Sequence, residues 1–145
     1  MGMFEDDFVL RAAKQLAQVL SRIMGLRQQG REEDAERELE GLYRGLVPFD
    51  PQLFELLDTR TLASMLTDAA RLRVLCEVMM FDGDGAAERG RRERAQRTWR
   101  RALELLQYGL PEPTESDREL MDALRARAAR GAEPEVADPR SVPSE

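Results

Sequence analysis

Histidine is absent from this sequence, and cysteine, lysine, isoleucine and tryptophan occur once each, as Cys76, Lys14, Ile23 and Trp99. Without histidine the commonest zinc ligand and general base is missing, which disfavours metal-assisted and acid–base chemistry. A lone cysteine cannot build an internal disulfide framework, a usage that fits the reducing cytoplasm. No apolar run approaches the roughly 20 residues needed to cross a bilayer. The opening Phe4-Glu5-Asp6-Asp7-Phe8 carries acids where a signal peptide would carry basic residues. Aromatic residues make up only 6% of the chain, and with β-branched residues also scarce a sheet protein is disfavoured. The expectation from these absences is a soluble, cytoplasmic chain with no membrane contact, no catalytic or metal site, and no cofactor.

What is abundant is alanine, leucine, glutamate and arginine, all good helix formers. The chain is 42% hydrophobic and 34% charged, a balance that suits amphipathic helices. Its 145 residues match one compact domain, expected to occupy 1–131. The segment 132–145 carries three prolines and almost no bulky apolar residue, so it is expected to be a disordered tail. The net charge of -6 argues against general nucleic-acid binding. Charge is nonetheless uneven: between Gly83 and Leu110, seven arginines face four acids.

Apolar spacing of three and four from Phe4 to Leu26 predicts a long first helix, stopped by Gly30. Ala35, Leu39, Leu42 and Leu46 predict a second helix, folded back on the first because the turn is short. Pro48 ends it. Asp50 with Pro51, and then Asp58 with Thr59, predict two short connecting helices. From about Asp68 the stripe Leu72, Leu75, Cys76, Met79 and Met80 predicts a longer one. Ala95, Trp99, Ala102, Leu103 and Leu106 predict its partner. Thr114 and Asp117 resemble a capping box that opens a last helix, with Gly131 closing it.

The most informative spacing is Gly83, Gly90, Ala95, Trp99 and Ala102. It resembles the tetratricopeptide repeat, in which a small residue, a turn glycine and an alanine–aromatic–alanine series let two helices pack closely. A weaker copy runs from Gly30 through Ala35, Leu39 and Leu42, with Ile23 where the small residue belongs. The two turn glycines lie 60 residues apart instead of the roughly 34 of a tandem array, so the expectation is two separated hairpins joined by a helical connector. Asp82 stands where the repeat has a large apolar residue, and Gln107 replaces its final proline. The opening Met3 to Arg11, the two hairpins and the leucine-rich connector, most of residues 3–108, resemble a family of small uncharacterised bacterial all-helical proteins. That resemblance implies the all-α, tetratricopeptide-like fold and no established activity.

Asp82-Gly83-Asp84-Gly85 invites a calcium-loop reading, but counted from Asp82 the fifth and sixth positions are Ala86 and Ala87, where the loop needs a ligand and a glycine. A plain turn and a helix through both glycines compete for this segment, and the repeat spacing favours the helix at about 1 kcal/mol per glycine. Cys76 falls on the apolar stripe and reads as a small buried side chain. Gly83, Ala95, Trp99 and Ala102 are expected to meet at a close helix contact. The candidate interaction residues are Phe4 and Phe8 on the first helix, and Arg94, Arg97 and Arg101 on the arginine-bearing one. The expected function is a protein-interaction or scaffold module that receives a peptide or helix from an unidentified protein partner. A second copy packing on the Phe4–Phe8 face would give a homodimer. The alternative is an accessory binder of an acidic ligand or nucleic acid through the arginine-rich stretch 89–101, with a solvated helix face as the default for that charge run.

Overall fold

Seven α-helices, and no strand, make up the regular structure of the described residues: α1 (Gly2–Gln28), α2 (Glu32–Leu46), α3 (Pro51–Leu56), α4 (Thr59–Met65), α5 (Ala69–Glu88), α6 (Arg92–Gly109) and α7 (Glu115–Ala132). The structure is a computed structural model that describes residues 2–47 and 49–132, with the side chains of 10–130 other than those at positions 12, 48 and 51. The side chains of Phe4 and Phe8, and the tail past Ala132, lie outside the described residues. α7 runs through Gly131, where the sequence pattern had closed it.

Helix starts follow local chemistry. The first N–H groups of a helix have no partner inside it, and a short acidic side chain at the N-cap supplies one. Asp50 accepts from the N–H of Gln52 at 2.9 Å, Asp58 from Thr61 at 2.7 Å, and Asp68 from Ala70 at 3.0 Å. At α7 the bonding is reciprocal: the Thr114 N–H donates to Asp117 Oδ2 at 2.9 Å and the Asp117 N–H donates to Thr114 Oγ1 at 3.1 Å.

α2 and α6 start differently, after glycine turns of the same construction. Gly30 and Gly90 adopt φ of 79° and 81°, the left-handed region that side chains resist. Across the first turn the Gly30 N–H donates to Arg27 O and the Arg31 N–H to Leu26 O, at 3.0 and 2.9 Å. Across the second, Gly90 donates to Ala87 O and Arg91 to Ala86 O, at 3.0 and 2.8 Å. Both are Schellman closures, with each carbonyl bonded in the same register.

Packing between α5 and α6 is close and antiparallel. The start of α5 meets the end of α6, where Leu72 occupies the space a Cβ on Gly109 would need. In the middle, Cys76 Sγ donates to Ala102 O at 3.5 Å. Towards the other end, the space a Cβ would need on Gly83 is filled by Trp99, whose Nε1 would be 2.5 Å away. Ala95 and Ala102 are fully buried. The helix runs unbroken through Asp82 to Gly85, so the backbone that a calcium loop would require is not there.

α5 departs from the one-sided stripe read in the sequence. Val74 and Val78, outside that stripe, are buried together with Leu72, Leu75, Cys76 and Met79, because α5 packs against α1, α2, α6 and α7. The first helix pair therefore packs directly against α5 of the second. Polar ties add to this packing. Arg71 donates to Leu46 O at 3.1 Å, meeting a free carbonyl at the end of α2. Asp84 accepts from Trp99 Nε1 at 3.1 Å and from Arg127 Nε at 2.8 Å, fastening α5 to α6 and α7. Asp117 pairs with Arg73 and binds α7 to α5.

Candidate interaction groove

Where α2, α3, α5 and α6 converge, they leave a groove of about 680 Å³, within the size range of sites that hold a small ligand or an anchoring side chain. Its floor is Leu39, Tyr43, Phe54 and Met79. Tyr43 and Phe54 meet at a tilted angle with ring centroids 5.7 Å apart, an ordinary edge-to-face contact. One wall is α6, which presents Arg94, Arg97, Thr98 and Arg101 at helical spacing. The opposite wall carries Glu36, Glu40 and Glu55.

The arginines picked out in the sequence do share this face, but they hold different positions. Arg101 is committed to the fold: its guanidinium lies 4.9 Å from the Phe54 ring centroid and donates through Nη2 to Leu57 O. It thereby pins the end of α3 to α6. Burial lowers its pKa from the usual arginine value, and its Nε has no hydrogen-bond partner. Arg94 faces the carboxylate of Asp82 across 3.5 Å. Arg97 is exposed and pairs with none of the described residues. On the acidic wall Glu40 receives Arg44 at 3.1 Å, and Glu36 lies 3.9 and 3.7 Å from Arg27 and Arg89.

Asp82 is the residue that sequence reasoning noticed and did not place in a site. It is 4% exposed and lines the groove from α5. Its Oδ2 accepts from the Tyr43 hydroxyl at 2.7 Å, a short charge-assisted bond that joins the hairpins. Its Oδ1 accepts no hydrogen bond. Tyr43 is held firmly protonated, since burial first and the Asp82 charge second raise its pKa well above 10. The aromatic floor was missed as well. An acid directly after the apolar run Val78-Met79-Met80-Phe81 was the available signal, because a residue buried there must find a donor.

The helix-packing residues Gly83, Ala95, Trp99 and Ala102 belong to the α5–α6 contact and are absent from the groove lining. Cys76 is fully buried away from it, and burial pushes the thiol's pKa far up. Among the described residues no three carboxylate, cysteine or histidine side chains group closely enough to hold a metal ion. Within the same residues no helix is long and apolar enough to cross a membrane. Comparison with family models, with curated proteins and with solved structures returns no match.

Proposed function

We propose that this chain is a non-catalytic protein-interaction module of tetratricopeptide-like helix hairpins, whose groove between α2 and α6 receives a peptide or helix from a partner protein. The observation that carries the reading is the groove itself: an apolar, partly aromatic floor between two charged walls, the combination that peptide-binding grooves use for affinity and register. The matching turns at Gly30 and Gly90 support the repeat-like part. The cytoplasm is the proposed setting, on the strength of one buried cysteine. The alternative, capture of an acidic ligand or nucleic acid by the α6 arginines, has less support. Arg101 is engaged by Leu57 and Phe54, Arg94 faces Asp82, and Arg97 is the remaining member of that row with no partner among the described residues.

The test is selection from a random peptide library on the immobilised full chain, followed by fluorescence anisotropy with the selected peptide. Reversing the exposed rim charges, Arg97→Glu with Glu55→Lys, leaves the core untouched and should weaken that peptide about tenfold, the scale of one or two lost charged contacts. Enrichment of no peptide, or of peptides that bind the reversed variant equally well, would count against the groove. Light scattering at several concentrations shows whether the occupant is a second copy of the chain.

A further inference from the structure

The lining of the groove includes a buried acceptor that no described residue hydrogen-bonds. Asp82 Oδ1 is buried and receives no hydrogen bond, although a buried carboxylate normally has its lone pairs satisfied. Its neighbour oxygen is fully engaged with Tyr43 at 2.7 Å. Among the described residues the cation paired with Oδ1 is Arg94, whose Nη2 stops at 3.5 Å and whose side chain is 41% exposed. Arg94 thus neutralises the site from a distance without completing it, and its exposure leaves it room to withdraw. Glu55 adds a further negative charge at the rim. The phenol of Tyr43 cannot serve Oδ1, because its only proton already goes to Oδ2.

We infer that Asp82 is the anchor point of the groove, and that Oδ1 accepts the guanidinium or ammonium of a lysine or arginine side chain on the docked segment, displacing Arg94. This rests on reading the groove as a docking surface. The chemistry follows from what is missing: a buried anionic acceptor is completed by a cationic donor, and the resulting bond is shorter and stronger than the long pair it replaces. The aliphatic stem of such a side chain would lie along Leu39 and Met79, as long cationic side chains bury their stems on apolar surface. An acidic anchor would instead bring a second carboxylate against Asp82.

The two anchors predict opposite signs for Arg94. Titration of the full chain with n-butylguanidinium, n-butylammonium, butyrate and butanol, followed by NMR of the amides of Tyr43, Asp82 and Arg94, reads the preference directly. The cations should shift these amides saturably while butyrate and butanol leave them in place. Arg94→Met should tighten cation binding several-fold, and Asp82→Asn should weaken it about tenfold, the loss expected for one charge-assisted bond. If Asp82→Asn does not fold, Glu55→Gln on the exposed rim supplies the second reading, with about twofold weaker cation binding expected from a solvent-screened charge. Butyrate binding, cation binding that Arg94→Met abolishes, or no saturable cation shift would each overturn the anchor. Selected peptides that occupy the groove but lack a basic residue would end the anchor and leave the docking surface standing. A selection that enriches nothing would end both.

Discussion

Asp117 ties α7 to α5 through a buried carboxylate, and the size of that tie can be worked out. The carboxylate is 1% exposed, bonded to Arg73 Nη2 at 3.1 Å and to the Thr114 N–H at 2.9 Å. Arg73 first, and the Thr114 cap after it, lower its pKa from 3.8 to about 2. Because the folded value lies below the unfolded one, the charged form stabilises the fold. That stabilisation is complete above pH 3.8 and is lost as the pH falls through about 2. At 1.36 kcal/mol per pH unit the shift corresponds to about 2 kcal/mol. Asp117→Asn keeps the shape and one acceptor but removes the charge. At neutral pH it should cost about 2 kcal/mol and lower the Tm by roughly 5–8 °C. Urea titrations followed by far-UV circular dichroism, repeated from neutral pH to about pH 2, check both parts. The gap between wild type and Asp117→Asn should close as the acid range is entered. A gap that stays constant through that range would refute the charge argument and assign the effect to the shape of the cap.

Glycines in similar helical settings should respond with opposite signs. Gly83→Ala drives a methyl into the Trp99 ring and should cost about 1–2 kcal/mol after its helix-propensity gain, with a shifted tryptophan emission. Gly41→Ala, with nothing within 4 Å of the new Cβ, should stabilise by about 0.5–1 kcal/mol in the same thermal melts. Gly30→Ala and Gly90→Ala also meet open space but must hold φ near +80°, so each should cost about 1–2 kcal/mol and the two losses should be similar. Cys76 should resist a thiol-reactive disulfide reagent in the native protein and react at the rate of urea-induced opening. Fast labelling without urea would contradict its burial.

Elements whose cause is local were legible in the sequence. Asp50, Asp58, Asp68 and Thr114 each bond to an N–H two or three residues away, so the information lies within a few positions. Gly30 and Gly90 likewise mark turns whose hydrogen bonds span at most five residues. What could not be read depends on distant pairing. Tyr43 and Asp82 are 39 residues apart, Arg101 and Leu57 are 44 apart, and Arg127 and Asp84 are 43 apart. In a linear reading such residues look like a solvated charged face, and only the packed helices show which of them are enclosed. The α6 arginine row could be read as a charged helix face, while its place beside Leu39, Tyr43, Phe54 and the buried Asp82 could not. The stripe on α5 was incomplete for the same reason: Val74 and Val78 are buried in a helix that packs against four others.

The shared position of α5 changes how the chain can be divided. A scissile bond placed in the connector between α4 and α5 would give two fragments of comparable length, as if separating two domains. Yet the first piece would keep helices that pack against the second, and α5 would lose its contacts with α1 and α2 and expose apolar surface to water. Neither piece inherits a finished interior. On this packing the two helix pairs should unfold together, and fragments cut between α4 and α5 should complement each other in solution and not fold alone.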